Sequence, residues 1–390
     1  MSLPRVLFYA QHLLGIGHLV RAARIAKALA ESSLDTLLVL GGTEVPGLDA
    51  GGARIVQLPP VRMGEGGFHA LAHPDGTPFD AEAQGGRRTQ LLDLFDRFAP
   101  DVLVIEAFPF GRRQMRFELM PLLGRARART DPPLIATSVR DILQANRRPE
   151  RVAETLRHLE NFDLVLVHGD PALVRLEDSF SEAGAFASKT VYTGLVAPPP
   201  PPEATPSDDV AYDVVVSAGG GAVGAPLLRA ALGARRTTWL AGRPWLLLTG
   251  PNMPAGLRAD LANAAEPGVT IKPFIPNLAA VLRGARLSVS QAGYNTVADV
   301  LVAGPRSVLV PYATDGETEQ TVRARRLDAL GLAVCLTEDE LAPDTLAVAI
   351  ERALERRPAA HALRLDGAAQ TARALWSALD RPGSRGCGSF

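Results

Sequence analysis

The chain has 390 residues, 47% hydrophobic and 21% charged, with a formal net charge of −1. That length gives roughly two or three globular domains with ample apolar mass for their cores, and the near-neutral charge argues against a nucleic-acid binder, which carries a basic excess or stripe. Two cysteines, Cys335 and Cys387, lie far apart without ligand spacing; no disulfide framework or zinc knuckle follows, and a reducing cytosol fits.

From the N-terminus, RVLFYA (5–10) reads as a buried strand. LVRAARIAKALAES (19–32) reads as a helix, with Leu19, Ala22, Ala23, Ala26, Leu29 and Ala30 at helical spacing. TLLVLGG (36–42), RIVQLP (54–59), DVLVIEAF (101–108), LIATSV (134–139), DLVLVHG (163–169) and TVYTG (190–194) continue as strands. Short apolar strands alternating with helices predict a doubly wound parallel sheet. The first strand resembles a secretory leader, but Gln11 and His12 interrupt it and no small-residue cleavage site follows. No run of about twenty apolar residues occurs, so no transmembrane segment is predicted and the expected location is cytoplasmic. The arginine pairs Arg87–Arg88, Arg112–Arg113, Arg147–Arg148, Arg235–Arg236 and Arg325–Arg326 read for the most part as solvated helix faces.

APPPPPEATPSDD (197–209) then breaks the pattern, because a proline run cannot join a central strand and tends to be stiff and extended. The same grammar restarts beyond it. YDVVVSAGGG (212–221) is a strand and a Gly-rich loop, followed by a helix in PLLRAALGARR. WLLLTG (245–250), VTIKPFI (269–275), ARLSVSQAG (285–293) and RSVLVPYA (306–313) are strands, with helices at 295–303, 319–330 and 344–356. The expected organisation is an N-terminal Rossmann-like domain (1–197), a proline-rich linker (198–209), a C-terminal Rossmann-like domain (210–358), a C-terminal helix (359–380) packing back toward the N-terminal domain, and a disordered tail (381–390). Two such α/β domains face each other across a cleft lined by the loops that follow the strands.

Those loops carry the unusual residues. Gly15, Gly17 and His18 (GIGH) stand between the first strand and the first helix. Glycines there let backbone amides approach a ligand, and a helix N-terminus favours negative charge. GGGAVG (219–224) matches the spacing of a dinucleotide fingerprint, but the next strand ends in Pro251 and Asn252 rather than in an acid that would hold a ribose. A phosphate-cradling loop is the better reading, and no cofactor is expected. In QAGYNTVADVLVAGP (291–305), Asn295 or Thr296 is placed to cap a helix that Gly304–Pro305 stops. Taken alone, Thr296 and Asp299 form a capping box. PYATDGETEQ (311–320) offers Asp315, Glu317, Glu319 and Gln320, and carboxylates and amides suit sugar hydroxyls. A solvated acidic loop is an equal reading.

Taken together, the Gly-rich loop, KPFIPNLAAVLRGARLSVSQAGYNTVADVLVAGPRSVLVPY and a loop ending in Glu319–Gln320 resemble the donor domain of the peptidoglycan N-acetylglucosaminyltransferase family that forms lipid II, the C-terminal domain of glycosyltransferase family 28. GIGHLVRAARIAKALA is also similar to a UDP-sugar hydrolase of the pseudaminic acid pathway. Three details depart from the family: Gly-Gly-Gly with an extra residue for Gly-Gly-Ser, no arginine after Gly194, and Glu319–Gln320 for paired glutamines. They leave the donor sugar and the acceptor open.

The resemblance implies the GT-B fold and a glycosyltransferase that uses a nucleotide-sugar donor, a UDP-sugar, and an acceptor that is a small molecule or lipid-linked. The diphosphate can leave against helix-terminus amides and no Asp-x-Asp motif stands at a strand end, so an inverting, metal-independent displacement is expected. The resemblance places Phe274 and Ile275 at the uracil, and Asp299 at the ribose. Gly15 and Gly17 from the first domain and Gly219, Gly220, Gly221, Gly293, Asn295 and Thr296 from the second stand at the diphosphate. Glu319 and Gln320 hold the donor sugar. His18 is expected to act as general base on the acceptor hydroxyl or to orient it, and Glu106 is placed to tune His18 or to bind acceptor. A nucleotide-sugar hydrolase or 2-epimerase, or a non-catalytic nucleotide-sugar-binding protein, is the alternative.

Overall fold

The structure is a computed structural model that describes residues 3–13, 17–64, 70–144, 148–201, 212–220, 223–314, 317–357 and 359–380. Gly15, Gly221, Asp315, Cys387, Arg147, most of the proline-rich linker and the tail expected at 381–390 lie outside the described residues. The chain forms two compact units. The first comprises Met1–Pro171, Arg175–Val196 and Asp366–Phe390, and the second Ala172–Val174 and Ala197–Leu365.

The first unit contains strands β1 (Arg5–Ala10), β2 (Asp35–Leu40), β3 (Arg54–Gln57), β4 (Arg62–Met63), β5 (Leu71–Ala72), β6 (Val102–Glu106), β7 (Leu134–Arg140), β8 (Leu164–His168) and β9 (Thr190–Tyr192). Its helices are α1 (Gly17–Glu31), α2 (Ala81–Phe98), α3 (Arg116–Arg127) and α4 (Pro149–Leu159). Among the described residues, a parallel sheet runs in the order β3-β2-β1-β6-β7-β8-β9, while β4 and β5 form a separate antiparallel pair. Successive residues Val6, Leu7, Phe8 and Tyr9 are all fully buried, because the sheet is covered on both faces. One face packs Leu7, Tyr9, Leu103 and Ile105 against Phe95 of α2 and Leu119 of α3.

Arg87 departs from the solvated-arginine reading. It is buried in this core, and its guanidinium donates to Glu118 Oε2 (2.8 Å) and Oε1 (3.0 Å), to Gln11 Oε1 (2.8 Å) and to the Gly41 carbonyl (2.8 Å). A buried charge persists when its partner and its remaining donors are satisfied, as here. Arg235 is likewise buried and pairs with Glu266.

The second unit contains β10 (Val214–Ser217), β11 (Trp245–Leu248), β12 (Val269–Lys272), β13 (Leu287–Ser290), β14 (Arg306–Leu309) and β15 (Val334–Cys335). Its helices are α5 (Ala225–Arg235), α6 (Ala255–Ala264), α7 (Leu278–Gly284), α8 (Tyr294–Ala303), α9 (Glu319–Ala329) and α10 (Pro343–Glu355). Its parallel sheet runs β12-β11-β10-β13-β14-β15 among the described residues, the strand order of a Rossmann fold. Strand β12 stops at Lys272 rather than at Ile275, because Pro273 has no N–H for a ladder. Gly224 caps α5 where a Cβ would collide with the Ala218 methyl, so the last glycine of GGGAVG serves close helix–strand packing.

Helix α11 (Gly367–Leu379) returns to the first unit and packs on α1, with Trp376 Nε1 donating to the Ser32 carbonyl at 3.0 Å. It begins at Gly367 rather than near 359. The preceding backbone is bridged instead to the segment after β9: Asp366 pairs with Val196, and Gly367 N donates to Leu195 O at 2.9 Å. A Cβ on Gly367 would collide with the Gly194 carbonyl. Among the described residues, no helix is long and apolar enough to cross a membrane.

Each sheet reverses its strand order once, between β1 and β6 in the first unit and between β10 and β13 in the second. Beyond the carboxyl ends of the strands at such a reversal, adjacent loops leave a crevice where ligands bind.

Candidate active site

In the first unit, β6 ends at Glu106 beside β1, and α1 starts at Gly17 just beyond β1. His18, the second residue of α1, points its Nδ1 at Glu106 Oε1 over 2.5 Å. Arg21 lies one helical turn further on and donates from Nη2 to the same oxygen at 2.5 Å. Arg112 Nη2 stands 3.9 Å from Glu106 Oε2. Glu106 is fully buried, while the His18 side chain keeps 26% of its surface open.

The electrostatics follow from that packing. Burial opposes ionisation of Glu106, but the charges and hydrogen bonds of His18, Arg21 and Arg112 hold its carboxyl well below the usual carboxylate range. Burial lowers His18 to about 4 against the pull of Glu106, with Arg112 and Arg21 adding to the fall. His18 is therefore neutral near pH 7, and Glu106 is a carboxylate. A carboxylate accepts, so the imidazole carries its proton on Nδ1, and Nε2 is left as a proton acceptor. Behind this pair, His168 is fully buried between Ser138 Oγ (2.8 Å from Nε2) and Thr193 Oγ1 (2.8 Å from Nδ1). Burial lowers it to about 3, with Arg21 lowering it further and Glu106 opposing.

In the second unit, Gly219 follows β10 with φ +61°, a left-handed conformation that favours glycine. A Cβ there would stand 3.3 Å from Gln291 Oε1, so the loops after β10 and β13 meet at this point. Added Cβ atoms at Gly220 and Gly293 would enter open space. The N-cap of α8 is Gly293, and neither Asn295 nor Thr296 caps the helix; both lie within its first turn. A glycine N-cap has no side chain to bond the first-turn amides, which leaves this end suited to an anion. Asp299 lies more than one turn inside α8 and is buried, so the capping-box reading fails. Gly304, with φ +73°, ends the helix.

Glu319 is the first residue of α9 and is buried rather than part of a solvated loop. Its Oε1 accepts from Arg323 Nη2 at 3.1 Å. Gln320 Oε1 accepts from the Tyr312 amide at 3.2 Å. Phe274 is 57% exposed in the loop after β12, whereas Ile275 packs partly into the core.

The structure thus joins His18 and Glu106 within one unit, and gathers the Gly219–Gly220 loop and the start of α8, with Gly293, Asn295 and Thr296, at the reversal of the other sheet. Arg21, Arg112, Gln291 and Arg323 are the residues that sequence patterns pass over. The signals that reach Arg21 and Arg323 are the i, i+3 spacing of His18 and Arg21 and the i, i+4 spacing of Glu319 and Arg323.

Two Rossmann-like units in series are the GT-B architecture of glycosyltransferases. Residues 215–374 match the glycosyltransferase family 28 C-terminal domain. Over 120 residues the chain is 36% identical to a UDP-N-acetylglucosamine–N-acetylmuramyl-(pentapeptide) pyrophosphoryl-undecaprenol N-acetylglucosamine transferase of Syntrophotalea carbinolica, a match covering 29% of this chain and 34% of the relative. Over 126 residues it is 40% identical to the transferase of the same name from Xanthomonas campestris pv. campestris, covering 32% of this chain and 28% of the relative. The matches span about a third of the length of these curated relatives. Among solved structures, the calicheamicin glycosyltransferase CalG4 superposes with a TM-score of 0.61 at 19% identity, covering 97% of each chain. Acinetobacter baumannii MurG superposes with a TM-score of 0.55 at 17% identity, covering 97% of this chain and 98% of that one. At such identities the likeness fixes the fold.

Proposed function

We propose that the protein is a glycosyltransferase that moves a sugar from a nucleoside diphosphate, UDP, to an acceptor hydroxyl, with inversion at the anomeric carbon and without a metal ion. The observation that carries the proposal is the His18–Glu106 pair: Nδ1 of a partly exposed imidazole lies 2.5 Å from a fully buried carboxylate, which favours the ring proton on Nδ1 and so Nε2 as the base. In the proposed step, the acceptor O–H gives its proton to Nε2 while its oxygen attacks the anomeric carbon. The bond from that carbon to the phosphate oxygen breaks, and the nucleoside diphosphate leaves with the electron pair. Amides at the start of α8 and in the Gly219–Gly220 loop are suited to receive the departing charge, with help from the helix dipole.

The assignments of Asp299 to the ribose, Phe274 and Ile275 to the base, and Glu319 and Gln320 to the donor sugar rest on the family 28 domain. So does the choice of UDP, which the curated relatives carry in their names. Their undecaprenol-linked acceptor supports a lipid-linked acceptor here, with a small molecule as the other class. The test is a thermal-shift screen of nucleoside diphosphates, followed by turnover of UDP-sugars with and without EDTA. The reading expects UDP to stabilise the protein and chelation to leave turnover unchanged. Binding of no nucleoside diphosphate ends it, and free sugar released without an acceptor replaces it with hydrolysis.

A further inference from the structure

Resting on the reading of His18 as a base, we infer that Arg21 is a positioning residue for the His18–Glu106 pair: its guanidinium keeps Glu106 a carboxylate, and that carboxylate keeps the imidazole proton on Nδ1. Three atoms meet within a small space. His18 Nδ1 and Arg21 Nη2 each lie 2.5 Å from Glu106 Oε1, and they lie 3.1 Å from each other. Arginine stays charged and has only donors, so Nη2 must donate. Two hydrogen-bonding patterns then compete. With the imidazole proton on Nδ1, both nitrogens donate to one carboxylate oxygen. With the proton on Nε2, Nδ1 accepts from Arg21, faces the Glu106 oxygen lone pair to lone pair, and leaves no base open to the acceptor.

The second pattern is tolerable only if Glu106 is protonated, and Arg21, bonded to the same oxygen as His18, opposes that together with His18 and Arg112. Glu106 is fully buried and Arg21 only 2% exposed, so little water screens their attraction. Two other groups act on the pair. Arg112, beyond β6, approaches the other carboxylate oxygen at 3.9 Å, too far for a hydrogen bond. It supports the charge of Glu106 without directing the imidazole. His168 of β8 lies within electrostatic range of Arg21 and Glu106 but stays neutral. Glu106 itself pulls His18 toward the charged form, and Arg21 and Arg112 push against it. Arg21 therefore directs the tautomer through its bond to the shared oxygen and, after burial and Arg112, adds to what holds down the acid limit of the base.

The test compares wild type, Arg21→Met and Arg21→Lys by long-range ¹⁵N–¹H correlation of the His18 ring across pH 4–8, alongside kcat/KM against pH. The ring spectrum reads the tautomer whether or not turnover is found, so failure of this inference and failure of the transferase reading are distinguishable. Wild type should show a neutral, Nδ1-protonated ring at pH 7. Arg21→Met should show Nε2–H or charged ring, with the His18 titration and the acid limb of kcat/KM rising by about one pH unit or more. Arg21→Lys should restore most of the tautomer. A variant that only loses melting temperature, with the tautomer and the acid limb of wild type, would overturn the inference, as would a wild-type ring protonated on Nε2.

Discussion

Arg323 donates from Nη1 to the carbonyl of Ala292 at 2.7 Å, and so ties α9 to the loop that enters α8. The same guanidinium bonds Glu319 and lies 5.8 Å from the centre of the Tyr294 ring. One fully buried side chain therefore holds together the two segments assigned to the diphosphate and the donor sugar.

Arg323→Met should destabilise the second unit. It removes one partner of the buried Arg323–Glu319 pair, a loss of about 3–5 kcal/mol. For a unit of this size that corresponds to a fall of roughly 6–20 °C in melting temperature. Calorimetric scanning measures it, and a change under about 2 °C would contradict the anchoring role.

Asp299→Asn should weaken UDP binding while leaving the fold intact. With Gly293 at the N-cap, Asp299 has no capping duty whose loss would unfold α8. Loss of a charged acceptor to ribose hydroxyls costs about 1.5–3 kcal/mol, roughly ten- to a hundredfold in affinity. Titration calorimetry with UDP checks this, and an unchanged Kd would remove Asp299 from the ribose.

His168 should make stability fall with acid. Its ordinary value is 6.5 in the unfolded chain, and burial lowers it to about 3 in the folded one. Between those limits the unfolded state binds the extra proton, so stability rises with pH through this window and is lost as pH falls. The slope from this group is about 1.4 kcal/mol per pH unit. His168→Asn should lessen the pH dependence of denaturant unfolding between pH 6 and 4 by about that amount, and equal slopes would place the acid sensitivity elsewhere.

The central strands are legible in the sequence because a sheet buried on both faces makes them continuous apolar runs, as in β1 and β6. Helix α2 is harder to read. AEAQGGRRTQLLDLFDRF holds Gly85 and Gly86, and one of its four buried residues is Arg87. The two-residue strand β15 is too short for any periodicity. At the site, His18 stands out because two glycines and a strand precede it. Arg21 does not, since an arginine on an apolar helix reads as solvated until the carboxylate 85 positions away is seen beside it. Arg323 is hidden in the same way within the charged run EQTVRARR, and the burial of Glu319 depends on it.

The central claim is that His18 is the base, and steady-state kinetics of His18→Ala on a UDP-sugar test it most directly. General-base contributions are about a hundred- to ten-thousandfold in rate, so kcat should fall by that range while the donor KM stays within about threefold. A kcat within about threefold of wild type, or a loss confined to KM, would contradict the account.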